Sequence, residues 1–293
     1  MRTHVIPSKI ALSLAMVLLT GCNSRPVASD RPRLTERVTM RDVRFHSDSL
    51  ERDITYRIVF PATNPKGKRF PVLYLLHGGG GDFREWTNNS DVARFAEEGL
   101  ILVMPEAESS YYTNSEDRAK DRFEDYIVKD VIAEVETRFP ADSSRRAIAG
   151  VSMGGFGAIK LAMKYPTLYG FVGALSPAID VPTRRFSFKR ISQYRYHASI
   201  FGAWGSRTRR DNDPFVLARQ VDPKNAPFMF VTCGEQEGLL PSNRQFAALL
   251  AERKFRFEFH SGPGGHNWNQ WNARLPELFN SLVNHLSDTS HQQ

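Results

Sequence analysis

Cysteine is almost missing from this chain: Cys22 and Cys233 are the only two in 293 residues. Two thiols build neither a disulfide framework nor a cysteine-based zinc site, so the fold must rest on its apolar core, for which this length is ample. Long apolar runs are also scarce. The N-terminal run over residues 10–19 falls well short of the about 20 residues a membrane-spanning helix needs. Charge of one sign is not concentrated. The net charge of +7 is modest, suits anionic surfaces such as lipid headgroups or acidic polysaccharide, and comes with no nucleic-acid motif, so no nucleic-acid partner is expected. The glycine run Gly78 to Gly81 lacks the lysine and the Ser/Thr of a phosphate-binding P-loop.

What is present begins with an address. Arg2, His4 and Lys9 precede the short apolar run, and no acid occurs before residue 22, which is the pattern of a secretory signal over residues 1–21. Leu19-Thr20-Gly21-Cys22 resembles the lipobox of bacterial lipoproteins. That resemblance implies cleavage before Cys22, acylation of Cys22, and a lipid-anchored place in the bacterial cell envelope. Each buried methylene of an acyl chain contributes about 0.8 kcal/mol, so several chains hold a protein at a membrane. Residues 22–37, rich in Arg, Pro and Ser, read as a flexible tether.

Residues 38–288 alternate strand and helix patterns, which predicts an α/β fold with a mostly parallel sheet and helices on both faces. Ile54, Tyr56, Ile58 and Phe60 alternate with polar residues, as in a half-buried strand near a sheet edge. Continuous apolar runs over 70–76 and 100–104 read as buried strands, with a short helix between them that Ser90 caps and Gly99 ends. Phe123, Ile127, Val131 and Val135 recur at helical spacing up to Pro140. Further strands are expected at 146–149, 171–175, 227–233 and 255–260, and helices at 154–164, 241–254 and 276–286. Residues 182–214, rich in arginine and aromatics, interrupt the alternation and read as a loop-rich insertion, either a solvated basic surface or a cap over a substrate.

Gly150-Val151-Ser152-Met153-Gly154 is a G-x-S-x-G sequence placed between a predicted strand and a predicted helix. A serine there stands on a sharp turn and projects from the carboxyl end of the strand. Side chains at the two glycines would strike the neighbouring strand and helix. A serine hydroxyl needs a base beside it. Of eight histidines, His266 lies in the loop after the last predicted strand, where this chain order puts the base. The acid then falls between them, past a strand. Glu237 and Glu235 compete in Gly234-Glu235-Gln236-Glu237-Gly238, with Glu237 preferred. The N–H groups of Gly79, in the glycine run, and of Met153, after the serine, are placed to hold an oxyanion.

Taken together, Leu75-Leu76-His77-Gly78, Trp86 with Asn88-Asn89-Ser90, Tyr111-Tyr112-Thr113-Asn114, Glu124-Asp125-Tyr126-Ile127 with Asp130, residues 150–155, Cys233-Gly234 and Gly265-His266-Asn267-Trp268 resemble the esterase D and antigen 85 family of α/β-hydrolases. The resemblance covers residues 43–286. It implies an α/β-hydrolase fold, Ser152 as nucleophile, His266 as base, and two-step acyl transfer from short-acyl or aryl esters with no metal or organic cofactor. That family usually carries aspartate in a Gly-x-x-Asp arrangement, and Glu237 stands at the matching position. The same residues would serve an acyltransferase of the mycolyltransferase type. A non-catalytic envelope binding protein on a hydrolase scaffold is the alternative from another class, disfavoured because such a scaffold has no need to keep all these residues.

Overall fold

The computed structural model describes residues 29–64, 67–185 and 191–288. The chain divides into two compact units, Met1–Asp30 and Arg31–Gln293. Of the first, only residues 29 and 30 are described, and they form no regular structure. The expected signal and Cys22 lie outside the described residues, as does the expected tether up to residue 28. Within the second unit the Arg31 and Arg33 amides donate to the Asn88 side chain and the Thr87 carbonyl, so the chain is already tied to the body before the first strand.

In chain order the elements are β1 (Val38–Ser47), β2 (Arg52–Pro61), β3 (Phe70–Leu76), α1 (Glu85–Asn89), a 3₁₀ turn (Val92–Ala96) and β4 (Ile101–Pro105). Next come α2 (Phe123–Asp125), a π turn (Tyr126–Val131), α3 (Ile132–Arg138), β5 (Ala141–Val151), α4 (Met153–Lys164) and β6 (Phe171–Leu175). A short 3₁₀ turn (Val181–Thr183) leads to α5 (Ile191–Phe201), α6 (Arg207–Asp211), α7 (Pro214–Gln220), β7 (Phe228–Gly234), α8 (Leu240–Glu252), β8 (Phe257–Gly262) and α9 (Trp268–Asp288). No helix of the described residues is long and apolar enough to cross a membrane.

All eight strands form one sheet in the order β1-β2-β4-β3-β5-β6-β7-β8. β1 and β2 run antiparallel to their neighbours, and the remaining pairs are parallel. This is the α/β-hydrolase fold. Strands buried on both faces are continuous apolar runs, and β4 and β6 have every residue buried. One face of the sheet packs against Tyr126, Val135, Ile159, Leu217 and Phe246 of the helices from α2 to α4 and of α7 and α8. The other face packs against Trp86, Val92, Trp271, Leu275 and Leu278, which belong to α1, its following turn and α9.

The strand register lines up the carboxyl ends that matter. Leu76 of β3 faces Gly150 of β5, Val151 faces Leu175 of β6, Leu175 faces Thr232 of β7, and Gly234 faces Gly262 of β8. The loops leaving these strands therefore open onto one edge of the sheet, the place where α/β folds gather ligands.

The alternating strand β2 lies near the sheet edge as expected, second from it, with β1 pairing outside. Three local expectations change. Ser90 ends α1 instead of starting a helix: its amide and hydroxyl both bond the Trp86 carbonyl. The last helix begins at Trp268, and Pro276 sits inside it instead of opening it. The insertion is largely helical rather than loop-rich, because Ile200 and Phe201 fold inward onto Phe156 and His197 onto Tyr111, so α5 is held by packing. Residues 186–190 within the insertion lie outside the described residues.

Candidate active site

The turn between β5 and α4 is tight enough to leave no room for side chains beside Ser152. A Cβ on Gly150 would come within 2.3 Å of the Gly154 backbone, and one on Gly154 within 2.2 Å of the Leu76 carbonyl. Ser152 itself has φ 54° and ψ −112°, a backbone conformation costly for a residue with a side chain. It is held there by its amide bond to the Leu175 carbonyl, while its own carbonyl accepts from Phe156 and Ala178. The result is a hydroxyl projecting from the carboxyl edge of the sheet.

His266, from the loop between β8 and α9, meets that hydroxyl: Nε2 lies 2.8 Å from Ser152 Oγ. On the other side of the ring, Nδ1 lies 2.7 Å from Glu237 Oε2. A carboxylate only accepts, so Nδ1 carries the proton and Nε2 is left as the acceptor for the serine O–H. The Glu237 carboxylate is fully buried. Its Oε1 accepts from Ser176 Oγ at 2.6 Å and from the Gly234 amide at 2.8 Å. Burial pushes the Glu237 carboxyl up, but the bonds from His266, Ser176 and Gly234 outweigh it and hold the group below its ordinary value. Of the two competing glutamates, only Glu237 reaches the histidine; Glu235 is exposed, and its amide bonds the Gly262 carbonyl.

Behind the acid stand two residues that the sequence reading missed. Ser176, at the end of β6 with φ 48°, donates to Glu237 and accepts the Trp271 indole N–H at 3.0 Å. Trp271 also stands edge-on to the His266 ring at 5.1 Å. Their signal was present but weak: a small polar residue directly after a buried strand, and a tryptophan one turn past the histidine. Cys233, next to this loop, is buried and its thiol is pushed up to about 12 by burial and the nearby Glu237 charge, which makes it inert.

Gly79 lies against Met153, the residue after the serine, the Cβ position of Gly79 being 3.9 Å from Met153 Cβ. Among the described residues neither amide N–H is spent on a protein acceptor. A cavity of about 460 Å³ opens above Ser152 and His266, walled by Tyr111, Ala178, Asp180, Arg184 and Leu239. Arg184 is held by both oxygens of Asp180 at 2.9 and 3.1 Å. Tyr111, with φ 54°, stacks edge-on to Phe156 and His197, and burial together with Arg184 and Arg209 lowers His197 to about 4. His197 is thus a neutral wall of the insertion, placed beside the site although its sequence context carried no sign of it. A larger cavity of about 510 Å³, lined among others by Phe95, Leu100 and Phe279, lies at the amino ends of β3 and β4 and contains none of these groups. Among the described residues no cluster of three or more His, Cys, Asp or Glu is arranged to hold a metal ion.

A mostly parallel eight-stranded sheet with a serine on the strand-to-helix turn beyond β5 defines the α/β-hydrolase class. Within it, the chain belongs to the esterase family whose model, described as "Putative esterase", matches residues 47–282; its members are serine carboxylic ester hydrolases. An acetyl esterase of Caldicellulosiruptor saccharolyticus is 24% identical over 259 residues, covering 83% of this chain and 97% of that protein. The diacylglycerol acyltransferase/mycolyltransferase Ag85A of Mycobacterium leprae is 24% identical over 326 residues, covering 99% of this chain and 95% of its own. Among solved structures, the fluorophosphonate-binding serine hydrolase FphF of Staphylococcus aureus superposes with a TM-score of 0.73 at 23% identity, over 84% of this chain and 98% of that one.

Proposed function

We propose that the chain hydrolyses short-acyl or aryl carboxylic esters through an acyl-enzyme on Ser152. The observation that carries this reading is the continuous hydrogen-bonded line from Ser152 Oγ through His266 to Glu237, at 2.8 and 2.7 Å. Ser152 attacks the ester carbonyl as His266 Nε2 takes its proton, and Glu237 stabilises the imidazolium that forms. The Gly79 and Met153 N–H groups receive the oxyanion. His266 then protonates the departing alcohol. Water, deprotonated by the same ring, attacks the acyl carbonyl and frees Ser152. The modest cavity and the likeness to an acetyl esterase support a short acyl group.

The likeness to a mycolyltransferase supports a second outcome from the same intermediate, in which a hydroxyl acceptor replaces water. Product analysis with and without an alcohol acceptor separates the two. The anchoring of the chain in a bacterial envelope through acylated Cys22 belongs to the same proposal and rests on the sequence around Cys22 alone.

Ser152→Ala is expected to abolish hydrolysis of p-nitrophenyl acetate while the circular dichroism spectrum and the melting temperature stay those of the parent. Activity near the parent level in that variant would refute the assignment.

A further inference from the structure

The glycine run after β3 does more than bend. The Gly78 carbonyl accepts from His77 Nδ1 at 2.8 Å and from the Gly81 amide at 3.1 Å. The Ala107 amide donates to His77 Nε2 at 3.0 Å, which fixes Nδ1 as the protonated nitrogen. In a trans peptide the C=O and the following N–H point in opposite directions. Pinning the Gly78 carbonyl toward His77 therefore turns the Gly79 N–H the other way, to the exposed side beside Met153.

The preceding amide is held as firmly. The Gly78 N–H donates to Glu85 Oε2 at 2.6 Å. Glu85 is the first residue of α1. One carboxylate thus ties the glycine loop to the start of that helix. Burial holds the Glu85 carboxyl above its ordinary value, against the pull of the Gly78 N–H. This half-buried carboxylate stands behind a proposed oxyanion donor.

Gly81 shows that room is reserved for it. A Cβ there would stand 2.4 Å from the Glu85 carboxylate, and Gly81 is not in the left-handed region that would otherwise call for glycine. Gly80, with φ 81°, makes the turn, whereas Gly81 admits the carboxylate.

We infer that Glu85 is a positioning residue for the oxyanion donor: by accepting the Gly78 N–H in the space left by Gly81, it sets the direction of the Gly79 N–H. The inference rests on the assignment of Gly79 in the proposed function. Glu85→Gln keeps a carbonyl acceptor, Glu85→Ala keeps none, and Gly81→Ala leaves Glu85 in the chain but drives its carboxylate from Gly78.

The test measures kcat and KM for p-nitrophenyl acetate in the three variants, together with stoichiometric labelling of Ser152 by a fluorophosphonate and the melting temperature. Outright loss of an oxyanion donor costs about 10²–10³ in kcat, so a misdirected one is expected to cost about 10- to 100-fold in Glu85→Ala and Gly81→Ala. KM should stay within about threefold, because the lost contact belongs to the transition state, and Glu85→Gln should recover most of the rate. Folded variants that label at Ser152 and keep the parent kcat overturn the inference while leaving the hydrolase reading intact. Equal losses in Glu85→Gln and Glu85→Ala, or a fall in kcat matched by a rise in KM, overturn it too. If Glu85→Ala does not fold, Gly81→Ala decides by the same criterion. A parent chain that neither turns over nor labels at Ser152 overturns the hydrolase reading, and the inference with it.

Discussion

Ser176 and Glu237 form a unit in which one side chain loses its meaning without the other. Glu237→Gln presents an amide that can no longer stabilise an imidazolium, and by comparison with the same change in the serine-protease triad kcat should fall by about 10⁴-fold. Glu235→Gln, on an exposed side chain, should leave kcat within about twofold of the parent. Ser176→Ala removes one bond to the charged acid and orphans the Trp271 indole, a loss of about 1.5–3 kcal/mol that places it between the two, roughly 10- to 150-fold in kcat. Steady-state kinetics on all three rank them, and a larger loss in Glu235→Gln than in Glu237→Gln would move the acid. At this scale the geometry was open to reading. The meeting of Ser152 and His266 follows from strand–turn–helix context and chain order. The choice between two glutamates two residues apart was weaker, because only the path of the loop after β7 decides which of them turns inward. Ser176 left only a weak signal, because a lone serine after a strand does not say which carboxylate it faces.

Helix α4 carries the proposed nucleophile at its start and a buried charge two turns on. Lys160 is fully buried; its ammonium donates to the Tyr112 carbonyl, to Thr113 Oγ1 at 3.1 Å and to Glu124 Oε2 at 3.0 Å. Lys164 and Tyr165 reach the other oxygen of Glu124 at 2.5 and 2.9 Å. Burial raises the Glu124 carboxyl, but Lys160 and Lys164 together bring it down to about 2. A carboxyl whose folded value lies below its unfolded 4.5 binds fewer protons in the native state between those values, so stability is full above 4.5 and is lost as pH falls toward 2. The amount at stake is roughly 3 kcal/mol. Glu124→Gln should lower stability at pH 7 by about 3–5 kcal/mol, since Lys160 is left buried without its partner. It should also flatten the loss between pH 5 and pH 2, and urea midpoints at pH 7, 5 and 3 would show both effects. An unchanged acid slope would mean that another carboxylate governs it. The segments at 111–114 and 124–127, recognisable in the sequence as family signature, are thereby explained: Lys160 fastens both to α4, and Asn114 joins them through Asp125 and the Glu124 amide. The helical insertion was not legible. Its arginines and aromatics interrupt the alternation and read as a loop, and only packing of Ile200 and Phe201 on Phe156 makes α5.

At the scale of the whole molecule, the strand–helix alternation was enough to give the sheet and its two helical layers, because buried parallel strands leave continuous apolar runs. It did not give β1 as the outer edge, which shows only as a half-exposed strand paired with β2. The proposal of an N-terminal address stands on the sequence of residues 1–22. Cys22→Ser in a bacterial host should move the protein from the membrane pellet to the soluble fraction and abolish labelling by radioactive palmitate; a pellet-bound, unlabelled parent would sink the anchor. The sheet itself imposes an order on activity. The Ser152 hydroxyl leaves β5, Glu237 leaves β7 and His266 leaves β8, 114 residues after the serine. On the proposed mechanism, a half-made or clipped chain that ends before β8 owns a strained serine and nothing to take its proton, so its chemistry would switch on only when the far edge of the sheet closes, and an incomplete molecule would be silent instead of partly active.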